Sequence, residues 1–177
     1  MCLIVMVGFP KSGKSTFVDL MFQQHTELGF KSMVVVRPSD WYPPNIEKLP
    51  AQERTEYQIA AWEHALEKVT GLLPSLATDD AVVLDTCGTS PNSLNTMIGV
   101  AKAKQHKVVA IWIATPESIC ASRLGNAEII KKYAGKIGDA IKSYQKSCAA
   151  IVVVRNNSVD EWRASIPGMA KRLWPHQ

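Results

Sequence analysis

Five short, almost wholly apolar runs punctuate the chain, at residues 2–7, 32–36, 81–85, 108–113 and 151–154. They are too apolar for strands with one wet face. Such runs predict a parallel sheet covered on both faces. Between them lie longer stretches with helical spacing. The first should begin within a glycine loop and run to about Leu28, with Gly29 as its stop. A second spans residues 51–73 and should break near Pro74. Ser90-Pro91 reads as an N-cap followed by proline at the first helical position, opening a helix to about Lys104. Thr115-Pro116 repeats that signal for a helix to about Leu124. Further helices are expected at residues 127–146 and 159–173. Strand and helix alternate throughout, which predicts a three-layer α/β fold with a mainly parallel five-stranded sheet and right-handed crossovers.

Length changes this picture little: 177 residues suit a single domain, 1–177, with one substantial core. No apolar run approaches the roughly 20 residues that span a bilayer. The N-terminal run is too short and lacks the basic lead-in of a signal peptide. The expectation is a cytoplasmic protein with no membrane partner. Cys2, Cys87, Cys120 and Cys148 are widely spaced, with no CxxC pair, and read as free thiols. His25, His64, His106 and His176 are scattered, so no structural metal is expected. Charge is unevenly spread. Residues 1–100 carry 7 Lys+Arg against 11 Asp+Glu, and residues 101–177 carry 13 against 5. The basic half either faces an anionic ligand or is a solvated surface.

The strongest chemical signal follows the first apolar run. Gly8-Phe9-Pro10-Lys11-Ser12-Gly13-Lys14-Ser15 places two glycines, a lysine and a hydroxyl at P-loop spacing. Glycines let successive N–H groups point into an anion-sized cavity. The helix that follows adds its N-terminal dipole and free donors. Lys14, expected to point into a solvated loop, would reach the β- and γ-phosphates, and Ser15 would offer its hydroxyl to Mg²⁺. Gly8, Ser12, Gly13 and Thr16 complete the nucleotide-binding set. Lys11 either adds charge near the phosphates or is an exposed loop side chain.

Ligands of open parallel sheets gather beyond the carboxyl ends of the strands. Two acids lie there. Asp85, followed by Thr86, ends the third run and suits a metal held through water, or contact with the acceptor. Asp40 follows the second run and could meet an acceptor hydroxyl as a general base. Arg37 could hold an acceptor phosphate or pair with Asp40. Trp41 and Tyr42 could stack on a ring, or pack in a core or lid.

Taken in order, Gly8 to Thr16, then Asp40, then Val83-Leu84-Asp85-Thr86 resembles a small P-loop kinase, specifically the phage polynucleotide 5′-hydroxyl kinase domain and its zeta-toxin-like relatives. The resemblance covers most of the chain in element order and is specific in the P-loop. It implies ATP and Mg²⁺ as cofactors, Asp40 as general base, and catalysis shared with Lys14. It also implies a helical lid over about 123–137, opened by Arg123, an arginine that contacts adenine or phosphates. Asn156 and Asn157 would lie in the loop beside the nucleotide base. The chain departs from the pattern at Ala127, where the lid usually offers a second arginine. Lys131, Lys132 and Lys136 are the nearest substitutes, without arginine's bidentate geometry. The segment after Asp40 also lacks the usual basic residue.

The leading expectation is therefore a kinase that moves the γ-phosphate of ATP to a hydroxyl, on a polynucleotide (5′-hydroxyl or modified base) or a nucleotide. DNA or RNA is a candidate partner. A small-alcohol kinase, a P-loop ATPase or switch acting on a partner, and a nucleotide-binding protein without catalysis are the alternatives. A GTPase is disfavoured, because the chain carries no Asn-Lys-x-Asp motif.

Overall fold

The computed structural model describes residues 1–155 and 159–173. Strands β1 (Cys2–Val7), β2 (Ser32–Val36), β3 (Asp80–Leu84), β4 (Lys107–Ala114) and β5 (Ala150–Arg155) form one sheet in the order β2-β3-β1-β4-β5. Every pairing is parallel, with Ile4 opposite both Val83 and Val109 at the centre. The helices are α1 (Lys14–Gln23), α2 (Ala51–Leu72), α3 (Pro91–Ala103), α4 (Glu117–Leu124), α5 (Ala127–Ser147) and α6 (Val159–Leu173). The sheet lies between two helical layers, as expected for a P-loop NTPase fold.

Strand β1 shows why its run is apolar at every position. Successive strand side chains point to opposite faces. Cys2, Ile4 and Met6 enter the core shared with Phe17 and Met21 of α1 and with Trp162 and Ile166 of α6. Leu3, Val5 and Val7 enter the core shared with Val69 of α2, Leu94 and Met97 of α3, and Tyr144 of α5. All six β1 residues are buried. The strand after β1 in sequence lies two places away on one side, and β4 lies on the other. Chain direction across the sheet thus diverges beside β1, which places the glycine loop at the crevice where such sheets bind ligands.

Three boundaries differ from expectation for local reasons. Helix α1 stops at Gln23, not near Leu28. Residues 24–29 form turns in which the Gly29 N–H donates to Thr26 O (3.0 Å) and the Phe30 N–H to His25 O (2.9 Å). That is a Schellman closure, and Gly29 (φ 84°) supplies its left-handed residue. Leu73 leaves α2 to join a 3₁₀ turn with Pro74 and Ser75. At α4 the cap residue is Pro116, one position beyond Thr115, because the Thr115 hydroxyl is used elsewhere. Ser90 does precede α3 as its cap residue, yet its side chain makes no capping bond.

Candidate phosphate site and adjoining cleft

The loop from Gly8 to Ser15 joins β1 to α1 and is held from several sides. The Gly8 N–H donates to Cys87 O (3.1 Å), and the Thr115 hydroxyl donates to Ser12 O (2.7 Å). Arg123 Nη1, at the end of α4, donates to Lys11 O at 3.3 Å. Lys11 sits at φ 61° with its side chain exposed, so its contribution to the loop is its backbone. A Cβ at Gly8 would lie 2.9 Å from Ser12 Oγ. One at Gly13 (φ 97°) would lie 2.8 Å from Trp162 Cη2. A side chain at Gly8 would crowd Ser12 and Lys14 within the loop, and one at Gly13 would collide with the Trp162 ring. The Phe17 N–H is the first in α1 to find a carbonyl, that of Gly13. The amides of Lys14, Ser15 and Thr16 therefore head the helix as donors without intrahelical partners.

Lys14 is buried, contrary to the expectation of a solvated side chain. Its ammonium donates to Phe9 O (2.6 Å) and Gly8 O (3.2 Å), with Ser12 Oγ at 3.5 Å. The charge is thus folded into the loop, among oxygens that a phosphate oxygen can replace. Ser15 and Thr16 are exposed, and the Ser15 hydroxyl takes no hydrogen bond from a described residue. These donors fit a nucleoside triphosphate, and Ser15 fits a hydrated magnesium ion.

Trp162 was not signalled by any local motif. Its indole edge meets Phe17 at 5.5 Å between ring centroids, and its Nε1–H donates to Arg155 O at 2.8 Å. It underpins Gly13 from the far end of the chain. Asn156 and Asn157 lie outside the described residues.

At the ends of β2 and β3, Arg37 pairs with Asp85 rather than Asp40. Its Nε donates to Asp85 Oδ2 at 3.0 Å, and its Nη2 bonds Asp19 of α1. Burial pulls the Arg37 pKa down, but the Asp85 hydrogen bond and the charges of Asp19 and Asp85 outweigh it and raise the pKa. Asp85 is buried, with one carboxylate oxygen committed to Arg37. Asp19, another residue that sequence reasoning missed, joins the helix of the P-loop to both strand ends.

Beside the loop opens a cleft of about 630 Å³. One wall is a face of α2, formed by Thr55, Gln58, Ile59 and Trp62. Their i, i+3, i+4, i+7 spacing puts them on one side of the helix. That spacing was legible beforehand, but it looks like any core-facing stripe. The floor is the loop from Thr86 to Ser90, and the opposite wall carries Tyr133 and Lys136 of α5. Pro38 and Tyr42 close one end. Lys136 Nζ lies 5.9 Å from the Tyr133 ring centroid. Lys131 pairs with Glu128 instead. Burial, then the neighbouring Cys87, raises the pKa of Tyr42. Burial, Cys87 and Tyr42 do the same for Tyr133. Both phenols therefore keep their donor protons through the neutral range.

Asp40 lies in the 3₁₀ turn Pro38–Trp41, between two residues that line the cleft. Its carboxylate is exposed and takes no hydrogen bond from a described residue. Trp41 lies outside the lining. Its ring stacks on His64 of α2 (6.3 Å, 29°), with Lys68 Nζ 5.5 Å from its centroid. The segment 123–137, expected to form a lid, covers the end of α4 and the first half of α5, and these helices pack on the loop itself: Phe9 is buried with Cys120, Ile130 and Ile137.

Residues 3–128 match the family described as an AAA domain. The chain belongs to that family. The AAA domain match spans the P-loop, both strand-end acids and the start of α5. In fold, the chain is similar to a crystal structure from Chloroflexus aurantiacus provisionally described as a kinase, with a TM-score of 0.66. That likeness covers 99% of this chain and 97% of the other at 11% identity, and it concerns the fold. No curated protein matches the sequence. Among the described residues, no helix is long and apolar enough to cross a membrane, and no group of three His, Cys, Asp or Glu could hold a metal ion.

Proposed function

We propose that this protein is an ATP-dependent kinase that phosphorylates a hydroxyl acceptor seated in the cleft. One observation carries the reading. The phosphate loop and the cleft share a wall: the Gly8 amide is bonded to Cys87 O, and Cys87 and Gly88 line the cleft. A phosphoryl group on the loop and an alcohol in the cleft would be neighbours, the arrangement that transfer between two bound molecules requires. The fold shared with a protein provisionally described as a kinase supports it.

In this mechanism the amides of Gly13 to Thr16 and the ammonium of Lys14 hold the β- and γ-phosphates. Lys14 exchanges the carbonyl oxygens of Gly8 and Phe9 for phosphate oxygens. Magnesium, held by Ser15 and through water by Asp85, would neutralise phosphate charge. Arg123 at Lys11 O is placed to add a positive charge at the loop. Asp40, in the turn between the cleft residues Pro38 and Tyr42, accepts the acceptor's hydroxyl proton. The acceptor oxygen bonds to the γ-phosphorus as the bond from that phosphorus to the β–γ bridging oxygen breaks. ADP departs, and the proton passes from Asp40 to solvent.

The test is incubation with γ-labelled ATP and an acceptor panel of oligonucleotides, modified DNA, nucleosides and small alcohols. Label should appear on one acceptor class, and ATP consumption should rise with it. Acceptor-independent hydrolysis, with no labelled acceptor, would assign the site to a nucleotide switch instead. Within the kinase reading, a polynucleotide and a small alcohol differ in the charge that the cleft must meet.

A further inference from the structure

We infer that the cleft takes a small, uncharged alcohol bearing a planar ring, rather than a polynucleotide strand; this rests on the kinase reading for the transfer step. The lining carries the argument. Tyr42, Tyr133 and Trp62 come from three separate segments and give the cleft aromatic walls. Such faces bind planar rings through stacking, regardless of charge. Ile59, on the same α2 face, is 54% exposed, an apolar surface that a ring would cover. The floor offers Thr86, Thr89 and Ser90, hydroxyls that can donate to and accept from an alcohol.

Charge points the same way. Among the described residues, Lys136 is the one charged side chain in the lining, and no carboxylate is among it. A strand of nucleic acid is held by several cations along its phosphates. Near the cleft α2 supplies the reverse. Glu53, Glu56, Glu63 and Glu67 lie on that helix against Arg54 and Lys68, and Lys68 is turned over the Trp41 ring. The lysines of α5 offset these acids, but Lys131, Lys132, Lys142 and Lys146 lie outside the lining, so the cleft does not offer the row of cations that a strand needs. The cleft volume, about 630 Å³, falls within the range of roughly 300–1,000 Å³ typical of small-molecule sites.

The experiment is calorimetric titration of the full chain, with a non-hydrolysable ATP analogue present, using thymidine, adenosine, pyridoxine and salicin as uncharged ring-bearing alcohols. Glycerol serves as the ringless control, and a ten-residue 5′-hydroxyl oligothymidylate as the polyanion. At least one ring-bearing probe should bind, with an affinity that barely changes between about 50 and 200 mM salt. Glycerol should not bind. Tyr133→Ala should weaken that probe by roughly 10-fold, the order of one lost stacking platform. Ile59→Arg supplies a second arm that does not disturb the core, since Ile59 is exposed. It should weaken the neutral probe and strengthen any oligonucleotide binding. The inference is overturned if the oligonucleotide binds more tightly than every ring-bearing probe and loses affinity steeply with salt, or if none of those probes binds. Labelled ATP in place of the analogue, with the same probes, separates the two ideas. Probe binding without transfer removes the kinase reading and leaves the inference standing. Transfer to the oligonucleotide does the opposite.

Discussion

The phosphate loop and the cleft lie against one another and are built on opposite principles. The loop is made of backbone. Its positions are set by Gly8 and Gly13, its lysine is buried, and its carbonyls at Phe9, Lys11 and Ser12 each accept a side-chain donor. The cleft is made of side chains from four segments, several of them half-exposed. A site made of amides has one use, an anion, because donors alone cannot choose among ligands beyond charge and shape. A site made of phenols, an indole and hydroxyls sets the identity of its ligand by those groups. The two halves should therefore fail differently when altered.

The largest effect is expected at the proposed base. Asp40→Asn keeps the size of the side chain and removes the proton acceptor. Single-turnover transfer should fall by roughly 10²–10⁴-fold, the usual range for a positioned acid–base group. ATP affinity and melting temperature should change little, because Asp40 is exposed and unpaired among the described residues. Near-normal transfer by this variant would remove Asp40 from the mechanism.

Lys14→Ala tests the loop alone. It should reduce transfer by about 10²–10³-fold, the cost of deleting one pre-placed donor to developing charge, and weaken ATP analogue binding. Binding of an uncharged probe in the cleft should survive. Because Lys14 is buried and donates to Gly8 and Phe9 carbonyls, a measurable loss of stability should accompany it, read by chemical denaturation. Equal loss of binding in both halves would show that loop and cleft are not separable.

This contrast also explains what could be read before the structure. The alternation of apolar runs and helical stretches placed all five strands to within a residue or two, since a doubly covered strand such as β1 must be apolar throughout, although Val153 of the edge strand β5 is exposed. The P-loop was legible because its geometry depends on fixed spacing within eight residues. The cleft was not. Thr55, Gln58, Ile59 and Trp62 have the spacing of a buried stripe, yet the first three are exposed and the stripe lines a cleft. The Arg37 partners were hidden for a similar reason. Asp19 and Asp85 are 18 and 48 positions away, and only the return of α1 and β3 to the same sheet end brings them together. Trp41 could be read either as stacking on a ligand or as packing within the protein, and its ring stacks on His64 of α2.

Trp162 offers a way to disturb the loop from outside. Trp162→Phe removes the Nε1–H bond to Arg155 O and part of the contact beneath Gly13. The expected cost is on the order of 1–3 kcal/mol of stability. ATP analogue affinity should weaken with it, since Gly13 loses its support, while the cleft keeps its probe. Denaturation and titration of the same variant check both parts. Unchanged nucleotide affinity would mean that the loop holds its shape without α6.

The smallest effect should come from Asp19, although it is part of an ionic network joining α1 to both strand ends. Arg37 has two carboxylate partners in different surroundings. The Asp85 side chain is 3% exposed and that of Asp19 is 58% exposed. An exposed partner gains little, because water already solvates both charges and salt screens them. Asp19→Asn should therefore cost about 0.2–1 kcal/mol, and the difference should shrink as salt is raised. Asp85→Asn should cost more, because it leaves the Arg37 guanidinium facing a neutral amide at a buried site. It should also raise the magnesium concentration needed for transfer, whereas Asp19→Asn should not. Denaturation at low and high salt, with a magnesium series for each variant, separates the two. If Asp19→Asn shifted the magnesium requirement as far as Asp85→Asn, Arg37 would be relaying α1 to the metal-side carboxylate, and the two acids could no longer be treated as independent.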